Sequence, residues 1–215
     1  MVDLSNQTEY WNSVAWEKNF TIPLDIDRFK SLVSQDQRIL DYGCGYGRIM
    51  AQLWDNGYRD ILGVDPSSLM IQRAKKEHPH LDVSVLNGSL PFEPDSIDAV
   101  LLQAVLTCIP TNEGQQAVIE DIHRVLRPGG ILNICDFPLQ EAERYLAAYK
   151  ESEGCYGMYG VFQLPDGGIV RHHDPKWVEE LTAGFQPIDL FQIDVVTMNG
   201  HAAKAFQYFG RKPGR

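Results

Sequence analysis

Ile39-Leu40-Asp41-Tyr42-Gly43-Cys44-Gly45-Tyr46-Gly47-Arg48-Ile49 is the stretch on which the reading of this chain turns. Arg38 to Asp41 reads as a short strand that runs into three alternate glycines. Ile49, Met50 and Leu53 then fall at helical spacing. Glycines in such a turn permit positive φ and close backbone approach, and the first N–H groups of the helix are free to meet an anionic group. A dinucleotide site wants G-x-G-x-x-G with a pyrophosphate at the helix end. Gly43 and Gly45 fit that pattern, but Arg48 stands in the third position. Asp41, at the mouth of the loop, repels a pyrophosphate and suits an ammonium group. A ligand carrying both an α-amino and an α-carboxylate group satisfies the acid and the helix end together.

Working outward, Ile61 to Val64 is a second strand, and Asp65-Pro66 closes it 24 residues after Asp41. An acid at the tip of strand two, near the spacing of about 20 residues known from nucleotide folds, can accept both hydroxyls of a ribose. The plainer role for Asp65 is to cap the next helix with Ser67 or Ser68. That helix places Leu69, Met70 and Ala74 on one face, with Arg73, Lys75, Lys76 and Glu77 mostly outside. Further strands are expected at Val83–Leu86, Asp98–Leu102 and Ile131–Cys135. An amphipathic helix from Glu113 to Leu126, ended by Pro128-Gly129-Gly130, separates the last two. This βα alternation predicts an open, mostly parallel α/β sheet with helices on both faces. S-adenosylmethionine has the zwitterionic end and the ribose that Asp41, the loop and Asp65 would hold.

The remaining composition narrows the options. The chain has 215 residues, 44% hydrophobic and 22% charged, enough to bury a core in one domain, 1–215. Nineteen Lys and Arg against 29 Asp and Glu give a net charge of −10, which argues against nucleic acid and anionic membrane as partners. Cys44, Cys108, Cys135 and Cys155 form no CxxC pair, and with no export signal they read as reduced thiols in a soluble, cytoplasmic protein. No metal site is expected. Arg171-His172-His173-Asp174 invites one, but adjacent histidines on an extended chain point to opposite faces.

Beyond Phe137 the alternation breaks. Residues 138–182 hold a helix, Glu141 to Lys150, then a Gly- and Tyr-rich stretch and a Pro165-Asp166-Gly167-Gly168 turn. They read as a lid inserted after strand five. Strands near Ile188–Met198 and Ala205–Phe209 finish the chain with hairpin-like spacing. At the other end, Tyr10, Trp11 and Trp16 lie in a cap segment, residues 1–30, suited either to closing over a ligand or to packing on the sheet edge.

The runs ILDYGCGYGR, GVDPSSLMIQRAK, NGSLPFEPDSIDAVLL and RVLRPGGIL resemble, in order, the class I S-adenosylmethionine-dependent methyltransferases over roughly residues 38–136. The resemblance implies a Rossmann-like seven-stranded sheet whose last hairpin supplies an antiparallel strand. It implies that Asp41, Gly43 and Gly45 hold the methionine end of the cofactor and Asp65 the ribose, with Cys44, Arg48 and Pro66 also at the cofactor site. Asn87-Gly88-Ser89-Leu90 falls at the adenine position, with Asn87 or Ser89 where many members carry an Asp. Gln103 and Ala104 fall at the pocket floor.

For the acceptor side, Tyr10, Trp11, Tyr156, Tyr159 and Arg171 are candidate substrate contacts, Arg171 as a two-point clamp on a carboxylate. His172, His173 and His201 are candidate bases, since histidine titrates near working pH. The reading is a methyltransferase acting on a small molecule. Its rivals are a cofactor-binding regulatory protein without turnover and, less in keeping with Arg48 and Asp41, a nicotinamide oxidoreductase.

Overall fold

The structure, a computed structural model, describes residue 4 and residues 7–214; residues 1–3, 5 and 6 of the cap segment lie outside the described residues. Seven strands form one sheet: β1 (Ile39–Tyr42), β2 (Ile61–Asp65), β3 (Asp82–Val85), β4 (Ile97–Gln103), β5 (Leu126–Asp136), β8 (Gln186–Val196) and β9 (Ala202–Arg211). Their order is β3-β2-β1-β4-β5-β9-β8, and β9 runs antiparallel to both of its neighbours. This is the open, mostly parallel sheet that the alternation predicts, with the Rossmann-like seven-stranded order and antiparallel strand that the family resemblance implies.

The central strands feed two cores. Leu40, Val100, Leu102 and Leu132 point to one face, under the helices α5 (Asn112–Val125) and α7 (Pro175–Leu181). Ile39, Ala99, Leu101 and Ile131 point to the other, against Met50 and Leu53 of α3 (Arg48–Asp55). Such alternation between two apolar layers is why these strands read as near-continuous hydrophobic runs. Strand order reverses between β1 and β4, so a crevice opens beyond their carboxyl ends.

Three features, two of them element boundaries, differ from expectation. α5 stops at Val125, and β5 begins at Leu126, so Pro128-Gly129-Gly130 lies inside a strand. The register between β4 and β5 shifts there, and Gly129 adopts a φ of 83°. A bulge accommodates a proline that cannot donate to a ladder. Between β5 and β8, α6 (Glu143–Tyr156) extends through Gly154 and Cys155, which the glycine count argued against, and is followed by the hairpin β6 (Val161–Gln163) and β7 (Ile169–Arg171).

The third difference concerns α4 (Ser68–Glu77). Arg73 is buried rather than outside. Its guanidinium sits 3.9 Å from the Tyr46 ring centroid and donates to the carbonyls of Ala15 and Lys18. It thereby anchors the segment that follows α1 (Thr8–Val14) and precedes α2 (Ile26–Leu32).

Candidate active site

The floor begins where β1 ends. Gly43, Gly45 and Gly47 all have positive φ, and α3 starts at Arg48. The loop is tied to β2 by the Asp65 carboxylate, which accepts the Gly45 N–H at 2.9 Å and the Ser67 N–H at 2.8 Å. Asp65 is therefore not the cap of α4. That is Ser67, whose hydroxyl accepts from the Met70 N–H. Burial pushes the Asp65 carboxyl up to about 6, against the pull of its two N–H partners.

Beneath the loop lies a group of buried polar atoms. Asp41 is 1% exposed, its Oδ2 has no partner, and burial raises its pKa to about 7 despite nearby Arg48. Arg48 donates to the Ile22 carbonyl, while its Nε has no partner. The Gln103 amide donates to Asn133 Oδ1 at 2.6 Å, and Asn133 donates to the Tyr208 carbonyl, so Gln103 Oε1 is left unpaired. Buried polar atoms are normally satisfied. Here an unpaired carboxylate oxygen, an amide oxygen and a guanidinium N–H stand near the carboxyl ends of β1 and β4 and at the start of α3, a set of donors and acceptors that fits an ammonium and a carboxylate on one ligand.

A cavity of about 320 Å³ opens above this floor. Gly43, Asp65, Pro66, Gln103 and Ala104 line it from the sheet. Trp11 and Phe20 line it from the N-terminal segment, and His201 from the β8–β9 turn. Ala104 holds a φ of 56°, a conformation costly for a residue with a Cβ, at the tip of β4. Cys44, Gly45, Asp41 and Arg48 lie below the cavity wall. A Cβ on Gly45 would overlap the Phe20 ring, which stacks on Tyr46. Cys44 is a core thiol whose pKa burial raises.

Asn87 and Ser89 line a second cavity of about 230 Å³ beyond β2 and β3. Gly88, at φ 80°, turns the chain between them. Leu90 is corrected to a core residue. It packs with Val64 and Leu86, and Asp121 and Arg124 of α5 hold its backbone.

Above the floor, the segment between β5 and β8 departs most from the sequence reading. Arg171 is buried and faces away from the cavity. It donates to Asn112 Oδ1 at 2.7 Å and to the Pro110 carbonyl, and lies over Trp177. It ties β7 to the start of α5 and is not placed to clamp a carboxylate in the cavity; among the described residues, neither Lys nor Arg lines it. Tyr156, half-buried at the end of α6, and Tyr159, 45% exposed against Tyr149, line no part of it. Tyr10 is likewise off the wall, with its hydroxyl donating to Asp166.

The histidines separate into three environments. His173 is fully buried between the Phe137 carbonyl and the Gln115 amide, and burial lowers its pKa to about 4. It is a strut and not a base. His172 does line the cavity but is only 5% exposed, and burial lowers its pKa to about 3, too weak a base to collect a proton near neutral pH. His201 is exposed at the cavity mouth. What the sequence reading missed are the aromatic walls, Phe137, Tyr145 and Phe162. Tyr145 and Tyr149 at i,i+4 on α6 were the available signal.

Among the described residues, no three His, Cys, Asp or Glu side chains gather to hold a metal ion, and no helix is long and apolar enough to cross a membrane.

Residues 40–134 match a family described as methyltransferase domain. A demethylmenaquinone methyltransferase from Tropheryma whipplei is 29% identical over 165 residues, 75% of this chain, and the alignment spans only 63% of that relative's length. A SAM-dependent methyltransferase structure from Methanosarcina mazei superposes with a TM-score of 0.83 at 25% identity, covering 90% of this chain and 99% of its own. The 1,6-didemethyltoxoflavin-N1-methyltransferase of Burkholderia thailandensis, solved with S-adenosylhomocysteine, shares the fold at 18% identity, with a TM-score of 0.62 over 87% of this chain and 76% of its own. Residues 40–134 thus carry a methyltransferase domain, and the sheet order, the glycine loop and the acids at the tips of β1 and β2 give the chain the architecture of the class I S-adenosylmethionine-dependent methyltransferases.

Proposed function

We propose that the protein transfers the methyl group of S-adenosylmethionine to a small, neutral, ring-shaped acceptor. One observation carries this reading: a single cavity joins Asp65 and Gln103 at the floor to a wall above that includes the rings of Trp11, Phe20, Phe137, Tyr145 and Phe162. Asp41 Oδ2 and Gln103 Oε1 would take the ammonium, Arg48 and the start of α3 the carboxylate, and Asp65 the ribose hydroxyls. Asn87 and Ser89 edge the space left for the base. The cofactor supplies an electrophilic methyl on a sulfonium. In such a transfer the acceptor's nucleophilic atom would bond the methyl as the sulfur–carbon bond broke, sulfur would keep the electron pair, and the acceptor's proton would leave.

The chain's own part is alignment and exclusion of water. Holding the acceptor in line supplies most of the rate for such a transfer. Among the described residues no Lys or Arg lines the walls, so an anionic acceptor would find no such partner there. Trp11, Phe137, Tyr145 and Phe162 instead offer faces for a flat ring. The quinone named for the Tropheryma whipplei relative is of that chemical class. His201 at the mouth is placed to carry the departing proton to solvent.

Two measurements test the reading. Calorimetry should show binding of S-adenosylmethionine or its demethylated product in preference to NAD. Methyl-labelled cofactor offered with hydroquinones, phenols and aromatic carboxylates should label the neutral rings. Tight NAD binding with no response to either sulfur nucleoside would overturn it, and cofactor binding without label transfer to any ring would leave the regulatory reading instead.

A further inference from the structure

The roof holds one polar side chain whose hydrogen bonding is fully determined by its neighbours. Tyr149 is completely buried on α6. Its phenolic oxygen accepts the Gln140 N–H at 3.1 Å and lies 2.5 Å from His172 Nδ1. With one site of that oxygen taken by the amide, its own proton has a single neighbour to go to, the Nδ1 of His172. A phenol has one proton, and a neutral imidazole has one donor and one acceptor nitrogen. If Nδ1 carried the proton instead, the tyrosine O–H would be a buried donor with no acceptor, an arrangement native structures avoid.

The ring is also fixed in orientation. Phe137 stacks on it at 5.3 Å between centroids, while Phe162 at 5.0 Å and Tyr145 at 5.1 Å close its sides. These three rings line the cavity together with His172, whereas Tyr149 does not. The Nδ1 edge therefore faces the protein, and the opposite edge is the one available to the cavity. Burial, with His173 adjacent, keeps the imidazole neutral.

We infer that Gln140 and Tyr149 lock His172 as the Nε2–H tautomer, and that this N–H donates to an oxygen on the ring of the bound acceptor. The substrate class is then a neutral ring carrying a hydroxyl or carbonyl group, and His172 selects it by donation rather than by accepting a proton. Tyr149 is a positioning residue that acts through His172. The inference rests on the methyl-transfer reading for the meaning of acceptor, but the tautomer stands on the geometry alone.

Nitrogen-15 spectra of the histidine rings test the lock directly. His172 should show Nε2–H and no titration between about pH 6 and 8, and Tyr149→Phe should admit the other tautomer. An Nδ1–H or imidazolium signal in the parent protein overturns the inference. The donor is tested with phenol and toluene, which differ by the hydroxyl, titrated with and without S-adenosylhomocysteine. The parent should prefer phenol by about three- to tenfold, the worth of one hydrogen bond. His172→Phe, which keeps an aromatic ring in the cage, should abolish the preference and leave S-adenosylhomocysteine affinity within about threefold. Equal binding of the two probes, or binding of neither, also overturns it. Failure of S-adenosylhomocysteine to bind strikes the methyl-transfer reading and leaves the tautomer result to decide this one.

Discussion

Most of the cavity floor comes from one continuous β-α-β stretch between Ile39 and Asp65, joined by Gln103 and Ala104 at the tip of the adjacent β4, whereas the roof gathers side chains from residues as far apart as Trp11, Phe162 and His201. The floor is polar: three glycines at positive φ turn the chain beside a buried carboxylate with an unpaired oxygen and a half-buried guanidinium whose Nε is unpaired. The roof carries aromatic rings, and His172, the buried histidine that lines the cavity, is neutral and oriented by its neighbours. The floor is built to bind a fixed, charged ligand end, and the roof to choose among uncharged shapes. The two halves should accordingly respond differently to substitution and to pH.

The largest contrast is expected at Asp65. Its carboxylate does two jobs: it faces the cavity, and it pins the glycine loop through the Gly45 and Ser67 N–H groups. Asp65→Ala strands two buried donors, each at a cost of about 1–3 kcal/mol. The melting temperature should fall by roughly 5–15 °C, and cofactor affinity by more than about a hundredfold. A variant that melts and binds like the parent would break the claim that one residue ties the floor together.

Titration gives the next effect, and its sign differs between the halves. Asp41 and Asp65 have folded-state pKa values raised to about 7 and about 6. The stability they contribute is full below the unfolded carboxylate range and is lost as pH rises through those values. His172 and His173 are lowered to about 3 and about 4, so their contribution is full above about 6.5 and is lost as pH falls toward 4. An ammonium seated at the floor favours ionised Asp41. Cofactor binding should therefore release a proton below pH 7, and affinity should fall by up to about tenfold per pH unit as pH drops. Calorimetry in buffers of different ionisation enthalpy reads that proton. Asp136, buried with its pKa also raised to about 7, lies at the end of β5 and should be silent to the ligand. A flat affinity profile from pH 5 to 8 would sever Asp41 from the ligand.

The same division explains what could be read from the sequence. The floor is local. Asp41, the glycines, Asp65 and Gln103 lie at strand ends, where βα alternation alone dictates their common edge. The roof depends on tertiary placement. Arg171 next to His172 in sequence gave no sign that one would turn to Asn112 and the other to the cavity. Alternation along β7 separates neighbours to opposite sides, but only the packed structure says which side is which. Likewise Arg73 reads as a solvent-facing charge on an amphipathic helix until Tyr46 and the carbonyls after α1 come to meet it. Gly154 and Cys155 argued for a loop, and packing of Tyr145 and Tyr149 against Phe162 kept them helical.

The smallest expected effect lies where the halves of the roof meet. Lys18 pairs with Asp166 of the β6–β7 turn and donates to Asn199 of the β8–β9 turn at 2.8 Å, and Tyr10 donates to the same Asp166. Three segments distant in sequence are thus joined at one partly exposed ammonium beside the cavity mouth. An ion pair in that setting contributes about 0.2–1 kcal/mol and is screened by salt. Lys18→Met should therefore lower stability by less than about 1 kcal/mol and leave equilibrium cofactor affinity within about threefold. If these segments must part for a ligand to leave, the variant should still speed release of S-adenosylhomocysteine, because an ion pair that breaks as the mouth opens acts on the off-rate. Stopped-flow dissociation at low salt should show the difference between variant and parent, and about 1 M salt should erase it. Equal release at low salt would mean that ligands pass without disturbing this junction. A tenfold loss of equilibrium affinity would mean that the roof, and not only the floor, holds the charged end of the cofactor.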